Sequence, residues 1–140
     1  MHRTLAGLII VFNFFSIGNA QDDAKKDLDK LQGKWKAEKM IFMGEEAPAE
    51  ATAKMVVSCK GNEFIPADKP DEPATIKLGP SAKPKTIDLT EKNKKVSLGI
   101  YELDGDTLKL CFSEPGTERP KTFESPKGSK IAYLVMKREK

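Results

Sequence analysis

Three groups of acidic residues are the first candidates for chemistry, because carboxylates bind calcium or act as paired general acid and base. They lie at residues 45–46, at residues 68–72, and at Asp104 and Asp106. Leu108 and Leu110 follow the last group where a calcium loop needs oxygen ligands, and a turn between strands accounts for its carboxylates. We predict no metal site, no cofactor and no catalytic residue. A glycosidase-type pair is the alternative, since sequence separation does not establish the distance between two carboxylates.

The two cysteines, Cys59 and Cys111, are candidates for a disulfide in an exported protein. Strand alternation argues against the bond. The phase that buries Met55 and Val57 points Cys59 inward, whereas the strand that carries Cys111 turns it outward. Sulfurs on opposite faces do not reach the Cβ separation of about 4 Å that a disulfide needs, unless a β-bulge intervenes. We expect two separate thiols.

The first twenty residues have the layout of a secretory signal peptide. His2 and Arg3 begin it, residues 5–17 are mostly apolar, and small residues precede a predicted cleavage after Ala20. The apolar run is shorter than the ~20 residues that span a bilayer. The pattern predicts one soluble domain, residues 21–140, that is secreted or periplasmic.

The predicted leader contains the single histidine of the chain, His2. Its removal together with Arg3 leaves 23 of the 24 Lys and Arg residues against 21 Asp and Glu, a net charge of +2. Without histidine, Ser-His-Asp and Cys-His catalysis and imidazole zinc sites are excluded. A net charge this small, spread as mixed pairs, also predicts no nucleic-acid partner.

A short helix and a series of strands must position these groups. Leu28 and Leu31 stand three apart among charged residues, so residues 23–31 are predicted to form a helix that Gly33 ends. From residue 34 on, short runs with a period of two end at Gly, Pro or Asp, which is typical of strands. The predicted strands are 34–43, 53–60, 63–66, 74–79, 85–90, 96–103, 107–113, 121–124 and 130–138. With no helix between them, they predict an all-β fold, a small antiparallel barrel of eight to nine strands.

One predicted hairpin has a single register that suits both its turn and its side chains, with Gly105 and Asp106 as the loop. An opposite-charge pair forms on the outer face, and a glycine lies beneath an aromatic ring on the inner face. The expected pairs are Leu103 with Leu108, Tyr101 with Leu110, Gly99 with Phe112, Glu102 with Lys109 and Ile100 with Cys111.

The inward positions of the strands supply an apolar lining with two tyrosine hydroxyls, as in small-molecule pockets. The candidate ligand-binding residues are Ile41, Met43, Phe64, Tyr101, Phe112 and Tyr133. A barrel of this size can also be packed solid by its own side chains. The sequence leaves both a ligand cavity and a filled core open.

Several separated motifs occur in order along nearly the whole chain after the leader. They are LQGKW at 31–35, KPKTIDL at 83–89, LGIYELDGDTL at 98–108, LCF at 110–112, ERP at 118–120, Phe123, Ser125-Pro126 and Lys137-Arg138. Together they resemble a secreted lipocalin-like domain family that is abundant in planctomycetes and whose members are uncharacterised. The resemblance implies a lipocalin-like β-barrel and no particular activity.

Gly33 and Trp35 are similar to the Gly-x-Trp motif that opens the first strand of lipocalins. The resemblance implies that this tryptophan packs across the closed end of the barrel against an arginine near the end of the chain. Arg138 is the natural partner, through a cation–π contact. Gly33, Trp35 and Arg138 are therefore expected to close the barrel as structural residues.

The expected function is that of a non-enzymatic binding module that carries a small apolar or amphipathic molecule inside the barrel. The alternative is a packed-core module that contacts an envelope or extracellular protein. It would act through its outer surface or through the polar segment 113–128, which as a surface loop is typical of binding segments.

Overall fold

Two helices and nine strands make up the structure, a computed structural model that describes residues 22–139. Helix α1 covers residues 22–31, and helix α2 is Ala49–Lys54. The strands are β1 (Gly33–Phe42), β2 (Glu45–Glu46), β3 (Val56–Lys60), β4 (Glu63–Pro66), β5 (Ala74–Gly79), β6 (Thr86–Thr90), β7 (Val96–Asp104), β8 (Thr107–Ser113) and β9 (Ile131–Arg138). The predicted signal peptide and its cleavage site lie outside the described residues.

The strands form a closed antiparallel barrel. Strand β1 pairs with β3, each strand from β3 to β8 pairs with the next, and β9 pairs with β1, which closes eight strands on themselves. The short strand β2 pairs with the far end of β1 and has no second strand neighbour within the described sheet. The predicted all-β barrel with a short N-terminal helix is confirmed.

Large apolar side chains fill the inside of the barrel, because alternate residues of every strand point inward. Trp35, Val57, Tyr101 and Met136 are fully buried there. Burial of one such side chain stabilises a fold by roughly 1.5–3 kcal/mol. The other buried members of this core are Leu31, Ala37, Met40, Cys59, Phe64, Ile76, Ile87, Leu89, Leu108, Leu110 and Leu134.

A β-bulge in β1 changes which of its residues face inward. The pairing with β9 shifts between Ala37 and Lys39, so that Met40 joins the core. Ile41 lies opposite Tyr133, and neither belongs to the core cluster. The structure therefore does not place Ile41 in the barrel lining as expected, since one extra residue reverses the phase that strict alternation predicts. Tyr133 also lies outside the lining, because Leu134 and Met136 are the inward residues of β9.

The segment between β1 and β3 holds a helix and a short strand that the sequence analysis did not predict. Residues 49–54 read AEATAK, rich in strong helix formers, and the hydroxyl of Thr52 donates to the carbonyl of Pro48 at 3.1 Å. The strand predicted to begin at residue 53 begins at Val56 instead. The prediction that no helix lies between the strands is therefore wrong.

The arm, residues 114–130, joins β8 to β9 across the outside of the barrel. Arg119 donates to a carboxylate oxygen of Asp88 at 2.7 Å and to the carbonyl of Gly99 at 2.8 Å. The rings of Phe123 and Tyr133 lie 6.4 Å apart. The predicted strand 121–124 does not form, and Phe123 packs against Tyr133 on the outer face of the sheet instead.

The hairpin of β7 and β8 has the predicted register throughout, including Gly99 opposite Phe112. A Cβ on Gly99 would lie 2.5 Å from the Phe112 ring, so the glycine makes room for the aromatic side chain. On the outer face, Lys109 and Glu102 form the expected ion pair at 3.4 Å.

The two ends of the barrel differ. Helix α1 lies across one end, where Leu28 and Leu31 pack against the core; we call this the closed end. At the opposite end, the open end, lie the turn at 43–44, the connection 67–73 and the turn at 91–95. Within residues 22–139, no helix is long and apolar enough to cross a membrane.

Candidate functional site

At the closed end, Arg138 joins the last strand to the first helix. Its guanidinium carbon lies 4.3 Å from the centroid of the Trp35 ring, which is the contact that the resemblance implied. Its two terminal nitrogens donate to the carbonyls of Lys30 and Gln32, each at 2.6 Å. Carbonyls at the end of a helix lack partners within the helix, so Arg138 caps α1 while it covers Trp35.

Gly33 stands where this contact leaves no room for a side chain. Its φ of +116° is in a region that L side chains rarely adopt. A Cβ there would lie 3.2 Å from a terminal nitrogen of Arg138. Gly33, Trp35 and Arg138 thus form one structural unit.

A second polar cluster at the closed end joins Asp27, Lys85 and Tyr101 beside a cleft. The hydroxyl of Tyr101 donates to Asp27 at 2.6 Å, and the ammonium of Lys85 donates to the same carboxylate oxygen at 3.0 Å. A cleft of about 270 Å³ lies beside Lys85 and Tyr101 and is also lined by Leu103 and Phe123. The sequence analysis placed Tyr101 inside the barrel but did not identify its partner, Asp27.

The protonation states of this cluster do not suit acid–base catalysis. Burial raises the pKa of Asp27, but the hydrogen bonds from Tyr101 and Lys85 and the charges of Lys85 and Lys30 outweigh it, so the pKa lies below its ordinary value. Burial, the hydrogen bond to Asp27 and its negative charge raise the pKa of Tyr101 well above the usual value. At neutral pH the carboxylate stays charged and the phenol stays neutral, whereas a general acid or base works with a pKa near the operating pH.

The two thiols lie on opposite faces of the sheet, and both are free. Cys59 belongs to the core, where burial raises its pKa to about 11 against the opposing charge of Arg138. Cys111 lies under the arm and donates to the carbonyl of Glu124 at 3.5 Å. Burial also raises the pKa of Cys111. Neither sulfur is an activated nucleophile, because the reactive form is the thiolate.

The open end carries a cleft of about 390 Å³ between the connection 67–73 and the turn at 91–95. Its apolar wall consists of Phe64, Ala74 and Leu89, which also border the core. The polar groups at its rim are Lys69, Glu72, Glu91, Lys92 and Asn93. The cleft therefore joins an apolar floor to a rim that carries charges of both signs.

A second cleft of about 260 Å³ lies beside the first at the same end. Phe42, Phe112 and Ala132 supply its apolar surface. Ser97 lines both clefts, and the inward phase of Gly99 and Tyr101 places it on the inner face of β7. The two clefts thus meet at one small polar side chain.

The structure divides the predicted ligand-binding residues among four places. Phe64 and Phe112 line the two clefts at the open end, whereas Tyr101 is buried at the closed end. Met43 is 57% exposed on the turn after β1, and it borders the second cleft from outside the core. Ile41 and Tyr133 pair on the outer side of the sheet, as described above.

Other residues at the open end were not predicted. The inward positions of Ala74 and Leu89 were predictable, because they follow from the alternation of β5 and β6, in which Ile76 and Ile87 are buried. Ser97 follows from the alternation of β7 in the same way, but a single serine gives no sign that it borders a cleft.

The fold and its clefts define the class of protein: a closed eight-stranded antiparallel barrel with a helix across one end and clefts at the other. Within residues 22–139, no group of three or more His, Cys, Asp or Glu side chains is placed to hold a metal ion. No family model matches the chain, and neither a curated protein nor a solved structure does.

Proposed function

We propose that the protein is a secreted, non-enzymatic binding module of the lipocalin-like type. It holds the apolar part of a small amphipathic molecule at the open end of the barrel. The observation that carries the proposal is the cleft of about 390 Å³, in which core side chains form the floor and charged side chains form the rim. Ligand pockets combine a mostly apolar surface with a few polar groups that fix orientation.

The packing of the barrel supports a ligand at its end over one deep inside. Trp35, Tyr101 and Met136 fill the closed half, and the apolar floor of the cleft begins where this packing stops, at Phe64 and Leu89. A ligand would therefore insert an apolar group a short distance and leave its polar group at Lys69 or Lys92. A fully apolar molecule would form no ion pair or hydrogen bond with this rim.

Export and membership of the lipocalin-like family belong to the same proposal. The layout of residues 1–20 supports export, and the ordered motifs from LQGKW to the terminal Lys-Arg pair support the family. The protonation states of Asp27, Tyr101 and Cys59 support a role without catalysis, because none of these groups exchanges a proton readily near neutral pH.

The test uses 1-anilinonaphthalene-8-sulfonate, an amphipathic fluorescent probe, with variants that fill the clefts. Ser97→Trp places an indole where both clefts meet, and Ser58→Trp is the matched control on the outer side of β3. We expect one probe per chain, at least tenfold weaker binding by Ser97→Trp and unchanged binding by Ser58→Trp. The melting temperature of each variant shows whether it is folded. Unchanged binding by a folded Ser97→Trp variant contradicts the proposal.

Native mass spectrometry of the exported protein, purified without detergent, is the companion measurement. An added mass that is released on unfolding and corresponds to an amphipathic compound supports the proposal. A bare mass together with no probe binding overturns it.

A packed-core module that contacts an envelope or extracellular protein is the second candidate, and the filled closed half of the barrel favours it. The arm is less suited to this role than its polar composition suggests. Its Arg119 is already bound to Asp88 and Gly99, and its Ser125 is buried. A partner surface is therefore better sought elsewhere.

A further inference from the structure

Phe42 and Met43 form an exposed apolar ridge at the open end. They are the large hydrophobic side chains that stand exposed within residues 22–139, at 45% and 57%. Met43 has a φ of +51°, an uncommon conformation for a residue other than glycine. The two-residue turn of Met43 and Gly44 requires this conformation, whereas an exposed apolar patch beside charged side chains is typical of an interaction site.

The strand next to this ridge has a free edge. Glu45 and Glu46 form β2, which pairs with β1 and with no other described strand. A free strand edge presents backbone donors and acceptors on which another strand can add. Both glutamates are exposed, and Glu45 lies opposite Phe42 whereas Glu46 lies opposite Ile41. The carboxylates therefore flank the free edge on both faces of the strand.

A cleft of about 450 Å³ runs along the ridge and this edge. Its lining combines Phe42, Met43, Ala47 and Pro48 with the two glutamates, so its charged groups are both negative. Glu50 adds a further negative charge in the first turn of α2. The backbone of Lys127 borders Gly44 in the turn between β1 and β2.

We propose that this site binds an extended segment of a partner protein, which adds to β2 as a strand. Two consecutive basic residues of the segment lie opposite Glu45 and Glu46, one on each face, and a flanking apolar side chain packs on Phe42 and Met43. Opposite charges placed directly across two strands stabilise the pairing. This inference does not rest on the cleft between residues 67–73 and 91–95.

The charges select this occupant over two others. A second copy of the chain that paired β2 with β2 would place glutamates against glutamates, which destabilises a sheet. An anionic membrane surface would be repelled by the same carboxylates.

The probe is a fluorescein-labelled peptide of two central arginines with two valines on each side, followed by fluorescence anisotropy. We expect Glu45→Lys/Glu46→Lys and Phe42→Ser/Met43→Ser each to weaken binding at least tenfold. The matched control Glu118→Lys/Glu124→Lys changes the net charge equally and should bind as the parent does. Unchanged melting temperatures show that the exposed substitutions leave the fold intact.

A peptide of the same sequence with alternate backbone nitrogens methylated separates strand addition from simple charge attraction. Loss of binding by the methylated peptide supports strand addition, and equal binding by it overturns the proposal. Sedimentation velocity and co-pelleting with phosphatidylglycerol vesicles test the other occupants. A dimer, or vesicle binding, that disappears in Phe42→Ser/Met43→Ser also overturns it.

Discussion

The guanidinium of Arg138 covers the ring of Trp35 at 4.3 Å and at the same time donates to the carbonyls of Lys30, in the last turn of helix α1, and of Gln32, just after it. One side chain thereby connects the first helix, the first strand and the last strand. Its third nitrogen, Nε, donates to Asp106 at 3.1 Å, so the β7–β8 turn belongs to the same network.

Arg138→Lys should destabilise the protein although it keeps the charge. A lysine ammonium cannot reach both carbonyls of α1 and cover the indole, so we expect a loss of about 2–4 kcal/mol in the free energy of unfolding. Urea denaturation measures it. The neighbouring exposed residue provides the control, since Lys137→Met should change stability by less than about 0.5 kcal/mol. One ordinary hydrogen bond contributes about 1 kcal/mol. A loss smaller than this for Arg138→Lys would show that the contacts of Arg138 with α1 and Trp35 are dispensable for stability.

Asp27→Asn should lower the free energy of unfolding by an amount that depends on pH. The folded state lowers the pKa of Asp27, so its stabilising contribution is fully present above the unfolded value of about 3.9. The contribution is lost as the pH falls through the folded pKa. The difference in unfolding free energy between the parent and Asp27→Asn should therefore be largest near neutrality and shrink in acid. A difference that stays constant down to acid pH would contradict an electrostatic origin.

Tyr101→Phe tests the same cluster at alkaline pH. Since the folded state raises the pKa of Tyr101, the folded protein keeps a proton that the unfolded chain loses above pH about 10. The parent should lose stability there, and Tyr101→Phe should lose less over the same range. Guanidinium titrations at pH 8 and pH 11 provide the comparison, and equal losses in both proteins would refute the assignment.

Both thiols should resist labelling in the native protein. A pKa of about 11 leaves roughly one Cys59 in a thousand as thiolate at pH 8, and burial restricts access to both sulfurs. We expect Ellman's reagent to react slowly with the native protein and to titrate two thiols per chain at once in guanidinium. Rapid labelling of native Cys59→Ala would identify Cys111 as accessible beneath a mobile arm.

Arg119→Ala should release the arm from the outer face of the barrel. It removes hydrogen bonds to Asp88 and Gly99, for which we expect a loss of about 1–3 kcal/mol. Hydrogen exchange should accelerate in residues 114–130 before it does in the strands. Lys121→Ala, an exposed change in the same arm, is the control. Equal exchange in both variants would mean that the arm is held by other contacts.

Alternation and turn chemistry predicted most of the barrel. The strands at 63–66, 74–79 and 107–113 have the predicted bounds, because each is a short period-two run between turn residues. The hairpin around Gly105 was specified by its turn as well as by its side chains, so its register was predictable residue by residue.

The candidate site was predicted less well, since one extra residue in a strand reverses every position after it. The bulge in β1 left a trace in Glu38 and Lys39, two successive charged residues that interrupt the period of two. Asp27 also left a trace, because it lies four residues before Leu31 and hence on the apolar side of α1. The free edge at Glu45 left none, because an acidic pair has the same pattern in a turn.

The closure of the barrel also determines when the chain can fold. Arg138 binds the carbonyl of Gln32, 106 positions earlier, and β9 supplies the second neighbour of both β1 and β8. Contacts between the two extremes of a sequence slow folding, because the intervening chain must first be ordered. A chain that stops short of β9 keeps two unpaired strand edges, which are templates for aggregation. We therefore expect folding to be completed only after β9 has been synthesised, since its eight residues supply the partner that each of the two edges lacks.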